Sequence, residues 1–306
     1  MSLDVHQPAL IGVDWGTSSF RAFLIDGDGN VLESKETDQG VLNIEGPNFL
    51  SVLEHHINGW LESVTLPVII SGMVTSRNGW IETPYVSCPA GVEVLASNLT
   101  RHVAPSGLEV HLVSGLTTRN DGVPDVIRGE EVQIAGLVAD GIREGMIILP
   151  GTHSKWLTLV DGVIENFATF MTGEIFDAIR TQTILGRLMS DGPTSAESFQ
   201  LGVEQSKRCG TELLHTLFSV RTLTLFDEMA DDKTPDYLSG LLIGAEIQGA
   251  IVLLGNPKHV WLVGRSSLLA RYQQALQALG IECTRTGENI AALGHHAIAR
   301  AMGLLS

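Results

Sequence analysis

The sequence predicts an α/β protein of two lobes, each built from a β-meander followed by alternating helices and strands. Its length of 306 residues suggests roughly two domains. Short apolar runs separated by Gly-Thr and Asp-Gly turns begin each half of the chain, and the two beginnings match at a constant offset of 135 residues. We therefore expect two similar lobes with an active-site cleft between their hairpin turns.

The first lobe is predicted to begin with three strands, at 9–14, 19–25 and 30–36. The connection "DGDGN" contains the Asp-Gly and Gly-Asn pairs that are typical of hairpins. The stretch 47–63 has apolar residues at helical spacing, and Pro47 suits a first helical turn. The later predicted elements are the buried strand 66–72, the irregular segment 73–91, helix 92–100, strand 108–114 and helix 129–140.

The second lobe begins again with strands, in the stretch "GMIILPGTHSKWLTLVDGVIENFAT". Gly16 corresponds to Gly151 and Thr17 to Thr152, and because the strand pattern matches too, we interpret the two stretches as an internal duplication. The remaining predictions are lobe boundaries of 1–141 and 142–306, a helical insertion at about 174–230, helix 235–254, strand 259–264, helix 266–279, strand 281–285 and helix 288–304.

The formal net charge of -16 argues against a surface for nucleic acid or for an anionic membrane, which would need a basic face. We therefore expect small-molecule partners, with no nucleic acid and no membrane. Cys88, Cys209 and Cys283 are widely spaced and form no CxxC pair, which predicts reduced thiols in a cytoplasmic protein. The N-terminus has no basic segment before an apolar one, so we expect no signal peptide.

The most apolar segment, 241–254, carries Glu246 and Gln248 and is short for a membrane span. It therefore predicts a buried core helix. Such a helix could pack inside a lobe or across a dimer, and between these two arrangements we favour a homodimer.

Both predicted hairpin turns combine glycine with hydroxyl side chains. Such turns offer backbone N–H groups and hydroxyls to phosphate oxygens, and two of them facing each other could hold a polyphosphate. The residues concerned are Gly16, Thr17 and Ser18 in the first turn and Gly151, Thr152, His153 and Ser154 in the second.

Asp14 precedes the first turn, whereas Leu149 stands at the matching place in the second. A carboxylate beside phosphates is repulsive unless a cation lies between them, so we expect Asp14 to position Mg²⁺. The alternative is that Asp14 only caps the turn by accepting N–H bonds from Thr17 or Ser18. Lys155 could neutralise β- or γ-phosphate charge, or it could be an ordinary solvated lysine.

In "VWLVGRSSLLARYQQAL", an apolar strand is followed by a glycine and a helix, and Gly264 could allow close approach of an adenine ring. A plain βα unit is the alternative. The sequence has no GxxxxGK(S/T) motif, no GxGxxG after its first strand and no GxSxG elbow. The pairs His55-His56 and His295-His296 lack metal-site spacing, which indicates ordinary helix residues.

The strand–"DWGTS"–strand opening and the second turn resemble the two phosphate motifs of the actin, heat-shock ATPase and sugar-kinase superfamily. Longer segments narrow the resemblance, and from about residue 10 to its end the chain is similar to the 2-dehydro-3-deoxygalactonokinase family. The segments that carry this likeness are "SGMVTSRNGWIETPYVSCPAG" (71–91), "IRGEEVQIAG" (127–136), "LPGTHSKW" (149–156), "TFMTGEIFDAI" (169–179) and "ILGR" (184–187).

The resemblance implies two ribonuclease-H-like α/β lobes with ATP and a sugar acid in the cleft between them. It implies that the ATP γ-phosphoryl group moves to the 6-hydroxyl of 2-dehydro-3-deoxy-D-galactonate in galactonate catabolism, before an aldolase cleaves the product. It also implies that the last helix, near 290–304, crosses back onto the first lobe.

In related sugar kinases, an aspartate at the start of the helix that ends the first lobe orients or deprotonates the attacking hydroxyl. Here that helix begins with Glu130 and Glu131, and acidic residues in a first turn also suit the helix dipole. The resemblance therefore points to Glu130 as the catalytic base, with Asp125 and Glu131 as rivals.

A sugar acid needs a cation for its carboxylate, and Arg77 in "TSRNGW" presents a bidentate fork that fits one. Asn78 could bond the keto or hydroxyl oxygens, and Trp80 and Tyr85 could line the pocket. Long irregular segments in compact domains are often functional, although Arg77 could also lie in a surface loop without a ligand. Weaker candidates for the carboxylate are Arg21, Arg128 and Arg180.

Other functions fit parts of this pattern. A kinase for another sugar acid, such as 2-dehydro-3-deoxygluconate, acts on a substrate that differs in one stereocentre. A nucleotide-dependent regulator of the same superfamily would need neither an acid beside an acceptor hydroxyl nor an arginine for a substrate. A phosphatase acting on polyphosphate or nucleotides would need a more basic pocket than this acidic chain indicates.

Overall fold

The computed structural model describes residues 7–62, 64–208, 212–264, 266–287 and 289–305, and Cys209 lies outside them. The predicted α/β fold class is confirmed, because the chain combines β-sheets with helices and divides into two units. Unit 1 comprises Met1–Glu144, Leu159–Asn166 and Gly287–Ser306, and unit 2 comprises Gly145–Thr158 and Phe167–Thr286. The predicted lobe boundary after residue 141 stays a prediction. Unit 1 also contains the end of one hairpin and the C-terminal segment, which carries the helix that was expected on the first lobe. Cys88 and Cys283 are free thiols.

The described part of unit 1 contains a six-stranded sheet and a three-stranded sheet. Its elements up to residue 139 are β1 (Pro8–Trp15), β2 (Phe20–Asp26), β3 (Val31–Thr37), α1 (Phe49–Leu61), β4 (Val68–Ser71), β5 (Val86–Ser87), α2 (Val92–Ser97), β6 (Thr100–Val103), β7 (Glu109–Leu112), β8 (Leu116–Asn120), β9 (Val123–Ile127) and α3 (Glu130–Ala139). The larger sheet has the order β3-β2-β1-β4-β7-β6, with β1 antiparallel to β2 and parallel to β4.

The end of the β1–β2 hairpin packs against the hydrophobic core of unit 1. Trp15 and Phe20 lie at this end with their ring centres 4.9 Å apart and their planes nearly perpendicular. Leu53 and Ile57, on one face of α1, are fully buried in the same cluster. Because a fully buried apolar side chain of this size contributes about 1.5–3 kcal/mol, the hairpin end is firmly anchored.

Unit 2 contains most of a five-stranded sheet whose described strands follow the order β12-β11-β10-β13-β14. The elements are β10 (Gly145–Leu149), β11 (Ser154–Val160), β12 (Val163–Phe170), α4 (Thr172–Gln182), α5 (Ala196–Ser206), α6 (Leu213–Thr216), α7 (Ser219–Leu225), α8 (Thr234–Leu254), β13 (His259–Leu262), α9 (Ser266–Ala278) and β14 (Glu282–Arg285). The order β12-β11-β10-β13 repeats β3-β2-β1-β4, so the predicted duplication of the meander is confirmed.

Helix α8 is, within the described residues, the one helix long and apolar enough to cross a membrane. It nevertheless packs inside unit 2, where Ile243 and Ile247 join a core cluster with Trp156 and Tyr272. A helix that is apolar on all sides is typical of a protein core, in agreement with the predicted core helix. A homodimer stays a prediction.

The last helix, α10 (Ile290–Met302), packs directly on α3 in unit 1. A Cβ atom on Gly294 would lie 1.9 Å from the Val132 carbonyl oxygen, and one on Gly136 would lie 1.9 Å from the Ile290 carbonyl oxygen. These reciprocal glycines therefore allow the two helix backbones to touch.

Some local features differ from the predicted elements. Helix α1 begins at Phe49, so Pro47 lies before the helix. The segment 73–91, predicted to be irregular, includes a short 3₁₀ turn and β5. The β8–β9 hairpin was missed, although its Asp-Gly turn was a usable signal: Asp121 and Gly122 have φ angles of 50° and 82°, as hairpin turns require.

We expect Gly294→Ala to destabilise the protein, because the added Cβ must push α10 away from α3. Overpacking of this kind costs about 1–3 kcal/mol in the free energy of unfolding. Gly59→Ala in α1 is the matched control, since nothing lies within 4 Å of its Cβ position. Urea unfolding compares the variants, and equal stability of Gly294→Ala and Gly59→Ala would contradict the close packing of α10 on α3.

Candidate functional site

The carboxyl end of β1 places Asp14 beside two neighbouring strands of unit 1. In the sheet register, Asp14 lies opposite Arg21 on β2 and Ser71 on β4. The Arg21 guanidinium forms an ion pair and a short hydrogen bond with the Asp14 carboxylate. The Asp14 carboxylate thus accepts a hydrogen bond from a side chain on the next strand. This differs from the turn-capping alternative, in which the N–H groups of Thr17 or Ser18 would be the donors.

Two glycines allow backbone to lie close to the Asp14 carboxylate. A Cβ atom on Gly72 would lie 3.3 Å from Asp14 Oδ1 and 2.6 Å from the Trp15 carbonyl oxygen. One on Gly129 would lie 4.0 Å from the same Oδ1 and 3.2 Å from Gly72 Cα. Both glycines have positive φ, 95° and 111°, which other residues rarely adopt. Backbone from the end of β4 and from the start of α3 thus approaches the carboxylate closely.

The first Gly-Thr turn is held from behind by the segment after β3. Val41 and Leu42 donate backbone hydrogen bonds to the carbonyl oxygens of Gly16 and Thr17, each at 3.0 Å. Thr17 and Ser18 are exposed at the tip of the turn. The predicted first phosphate turn is therefore a fixed loop with an accessible tip.

The first turn of α3 carries Glu130 and Glu131 in different surroundings. Glu131 is fully buried, and its two carboxyl oxygens accept the Gly129 N–H at 2.9 and 2.7 Å. Burial, followed by the charge of Glu130, raises the pKa of Glu131 to about 8, against the opposing effect of backbone hydrogen bonds and Arg128. Glu130 is half-buried and accepts the Arg128 N–H at 2.9 Å. Of the two, only Glu130 is accessible to solvent.

Asp125, the other rival for the base, lies on β9 in the small sheet. It is half-buried, and its carboxylate accepts the Val126 N–H at 2.7 Å. The hydroxyl of Thr117 on β8 donates to its backbone carbonyl at 2.9 Å. Asp125 thus belongs to the hairpin that precedes α3.

Arg128 joins the segment 73–91 to the start of α3. It is 8% exposed, and its Nη1 donates to the Thr75 carbonyl, the Thr75 hydroxyl and the Thr83 hydroxyl, each at 2.6 Å. Its guanidinium carbon also lies 4.3 Å from the centre of the Tyr85 ring, a cation–π contact. Sequence reasoning ranked Arg128 as a weak substrate ligand, but the structure shows a buried connector. The sequence signal for this buried position was that Arg128 directly precedes Gly129 at the start of α3.

The structure separates the other residues predicted for the sugar acid. Arg77 has an 85% exposed side chain, with Nε 3.5 Å from Glu82 Oε1, and Asn78 beside it is also exposed. Trp80 packs against the core of unit 1, and its ring lies edge-on to His102. Trp80 therefore supports the segment from inside, while Arg77 and Asn78 face solvent.

The second Gly-Thr turn is held by the start of α4 in unit 2. The Glu174 N–H donates to the Thr152 carbonyl oxygen at 3.0 Å, and the Glu174 carboxylate hydrogen-bonds His153. A Cβ atom on Gly173 would lie 2.5 Å from the Gly151 carbonyl oxygen. The predicted second phosphate turn thus lies directly against the amino end of a helix.

Ser154 and Lys155, both predicted to contact phosphate, have buried side chains at the start of β11. Lys155 Nζ donates to the Thr169 hydroxyl at 3.0 Å, which differs from the solvated alternative. The Ser154 hydroxyl points into the core, where it lies 2.7 Å from the Tyr272 hydroxyl, so the side chain is not available to a ligand at the turn. Gly264 lies after β13, where its Cβ position is 3.7 Å from the Pro150 carbonyl oxygen, close to the second turn.

A cavity of about 320 Å³ adjoins the second turn within unit 2. Gly151 of the turn borders it, together with residues of α4, α8 and α9. Two ion pairs lie in its wall: Arg271 meets Asp236 at 2.6 Å, and Arg180 meets Asp191. A concave site with an apolar lining and a few polar groups is typical of small-molecule binding. Of the lining residues, the sequence indicated Gly151 of the turn and Arg180, the latter as a weaker candidate for the sugar-acid carboxylate. The other walls come from the helical insertion, α8 and α9, where the sequence carried no ligand-binding signal.

Comparison with known proteins adds an independent observation. A family model described as 2-keto-3-deoxy-galactonokinase matches residues 14–298. A 2-dehydro-3-deoxygalactonokinase of Escherichia coli (strain K12) is 34% identical over 293 residues, which are 95% of this chain and 98% of that protein. A crystal structure from Sinorhizobium meliloti, described as a 2-dehydro-3-deoxygalactonokinase protein, is 35% identical with a TM-score of 0.88, covering 96% of this chain and 99% of that one.

A more distant solved structure shares the fold alone. It is the activator of the 2-hydroxyisocaproyl-CoA dehydratase from Clostridium difficile, determined with bound ADPNP. Its identity is 13% and its TM-score 0.50, and the match covers 97% of this chain and 96% of that one.

The buried carboxyl of Glu131 should make stability depend on pH. The unfolded group releases its proton near pH 4.5, whereas the folded one keeps it up to about pH 8. Between these values the unfolded state binds fewer protons, so the free energy of unfolding falls as pH rises, by up to about 1.4 kcal/mol per pH unit. Urea unfolding should therefore show wild type losing stability relative to Glu131→Gln between about pH 5 and pH 8.

Asp140→Asn, at the exposed C-terminal end of α3, controls for the loss of one negative charge. Stability curves that run parallel for wild type and Glu131→Gln would contradict a buried proton on Glu131.

Proposed function

Because this chain belongs to the 2-keto-3-deoxy-galactonokinase family, we propose that it transfers the γ-phosphoryl group of ATP to the 6-hydroxyl of 2-dehydro-3-deoxy-D-galactonate. The observation that carries the proposal is the family match over 14–298, which spans both Gly-Thr turns and the start of α3. The reaction breaks the bond from the γ-phosphorus to its bridging oxygen and forms a phosphate ester, while the sugar hydroxyl gives up its proton. The product would enter galactonate catabolism in the cytoplasm.

We assign nucleotide binding to unit 2. Its cavity of about 320 Å³ lies within the usual range for ligand sites, about 300–1,000 Å³. A nucleoside bound there would place its phosphates near the backbone N–H groups of the second turn, Gly151 to Ser154, which suit phosphate oxygens. Lys155, at the end of that turn, adds positive charge. The distant Clostridium difficile protein with bound ADPNP supports this choice of ligand.

We assign Mg²⁺ to Asp14 together with the ATP phosphates. Among the described residues, no group of three or more His, Cys, Asp or Glu side chains could hold a metal ion by itself. Mg²⁺ usually keeps several waters and binds one or two carboxylates plus substrate phosphates, so a single carboxylate is sufficient. The ion would neutralise phosphate charge, and Arg21 would hold the carboxylate in position.

We assign the base to Glu130. It lies at the first position of α3, it is half-buried, and its carboxylate is oriented by the Arg128 N–H. From this place it could accept the proton of the attacking hydroxyl. Glu131 is sequestered on Gly129, and Asp125 stays the rival.

We assign the substrate carboxylate to Arg77, whose guanidinium faces solvent with a long contact to Glu82. A substrate carboxylate would replace that contact with a bidentate pair. Asn78 is exposed next to it, and Tyr85, 43% exposed, presents one ring face that Arg128 supports from behind. These groups could orient the sugar acid.

The proposed activity predicts ADP release only when ATP, Mg²⁺ and a suitable sugar acid are present together. A coupled ADP assay over a panel of sugar acids should give the highest kcat/KM with 2-dehydro-3-deoxy-D-galactonate. Arg77→Met should raise the KM for that sugar acid about tenfold or more and leave the KM for ATP unchanged, because one charged hydrogen-bonded contact is lost.

Arg101→Met is the matched control, because Arg101 is also an exposed arginine paired with a glutamate, Glu109. A higher kcat/KM for 2-dehydro-3-deoxygluconate would move the assignment to that epimer. A rate of ADP release that does not change when sugar acids are added would instead favour a nucleotide-dependent regulator.

Asp14→Asn and Glu130→Gln should both lower kcat, but for different reasons. Glutamine keeps the shape of Glu130 yet cannot take a proton, so kcat should fall about 10²–10⁴-fold with the Mg²⁺ requirement unchanged. Asparagine at Asp14 weakens the interaction with the cation, so the Mg²⁺ concentration for half-maximal activity should rise. Magnesium titration of the initial rate separates the two.

Each variant serves as the control for the other, and Asp125→Asn tests the rival base. A greater loss of kcat in Asp125→Asn than in Glu130→Gln would transfer the base to Asp125. An unchanged Mg²⁺ requirement in Asp14→Asn would remove Asp14 as a metal ligand.

A further inference from the structure

Glu246, in the middle of α8, is a buried carboxyl that is hydrogen-bonded by residues lining the unit 2 cavity. It is 3% exposed, and it accepts hydrogen bonds from Trp156 Nε1 at 2.8 Å and from the Tyr272 hydroxyl at 2.7 Å. Burial raises the pKa of Glu246, and hydrogen bonds from Thr172, Trp156, Tyr272 and Ser154 oppose that rise. Among the described residues, the groups that act on this carboxyl are hydroxyl and indole donors rather than cations.

These donors belong to separate elements around the second turn. Ser154 ends the turn, and its hydroxyl lies 2.7 Å from the Tyr272 hydroxyl. Thr172 begins α4, whose next residue, Gly173, touches the turn backbone. Thr172 and Tyr272 also line the cavity. One carboxyl thus connects the turn, the start of α4, β11 and α9.

Such a network is costly as a source of stability alone. A buried carboxyl loses hydration, and a well-packed apolar side chain of similar size would often stabilise a core equally well or better. A fully hydrogen-bonded buried group instead fixes its partner side chains in one arrangement. The partners here are the elements that would contact the phosphates and the nucleoside.

We propose that Glu246 is a positioning residue for the nucleotide phosphates. It fixes the second turn relative to α4 and α9, so that the turn's N–H groups meet a polyphosphate chain whose nucleoside occupies the cavity. The inference rests on the proposed nucleotide site of unit 2. It predicts a phosphate-dependent loss of affinity when the network is altered, because the nucleoside contacts the cavity walls whereas the phosphates contact the turn.

The test is isothermal titration of the full-length protein with ATP and with adenosine, in the presence of Mg²⁺. Glu246→Gln keeps the side-chain shape, but its amide nitrogen cannot accept a hydrogen bond. It therefore faces either the Trp156 N–H or a Tyr272 hydroxyl that must turn to accept, and that turn disturbs the Tyr272–Ser154 link. Tyr272→Phe cuts that link and keeps the Trp156 bond. We expect the Kd of ATP to rise about tenfold or more in both variants, with the Kd of adenosine in Glu246→Gln within about twofold of wild type.

Tyr237→Phe is the matched control. Tyr237 is likewise a buried tyrosine paired with a serine hydroxyl, at 2.8 Å from Ser219, but neither residue lines the cavity. It should bind both ligands like wild type.

The outcomes separate this inference from the proposed function. ATP bound equally well by wild type and both network variants would overturn the positioning role and leave the nucleotide site intact. Equal weakening of ATP and adenosine in Glu246→Gln would reduce Glu246 to a scaffold residue and also overturn it. Wild-type protein that does not bind ATP would overturn the nucleotide site itself, and this inference with it.

Discussion

Close approach of backbone to the Asp14 carboxylate is the constraint on which the candidate site in unit 1 depends. The end of β4 and the start of α3 reach this carboxylate only because positions 72 and 129 have no side chain. Both positions also need a positive φ, and such sparsely populated backbone conformations cost other residues roughly 1–3 kcal/mol. The turn that leaves β4 and the turn that enters α3 therefore have their geometry set by the same crowded point.

The residues around Gly129 follow from that geometry. Arg128, just before it, points into the segment 73–91 and holds two of its threonines. Glu131, just after the first residue of α3, points inward and binds the Gly129 N–H. Glu130 is left as the acidic residue of this turn that is not fully buried. Three charged residues around one glycine thus have three different surroundings: Arg128 contacts a loop, Glu131 binds a backbone N–H, and Glu130 stays partly exposed.

The duplicated meander carries different polar groups in the two units. At the end of β10, Leu149 stands where β1 has Asp14, so the strand position before the second turn carries an apolar side chain and not a carboxylate. Besides Glu174, which contacts His153, the buried acid Glu246 on core helix α8 reaches this turn through the hydroxyls of Tyr272 and Ser154. The repeated topology provides two similar turns, while the chemistry of each depends on what packs against it.

The sequence by itself determined the repeated meander, the two Gly-Thr turns, the core helix and the family, because these depend on local periodicity, turn residues and contiguous motifs. Only the tertiary structure decided that Glu131 is buried, that Arg128 rather than Arg77 is enclosed by protein, and that Ser154 points inward. It also decided that a cavity adjoins the second turn. These outcomes depend on partners distant in sequence: Arg128 and Thr75 are 53 residues apart, and Ser154 and Tyr272 are 118 apart. Local pattern fixes which element a residue joins, whereas the direction and burial of its side chain depend on the elements that fold against it.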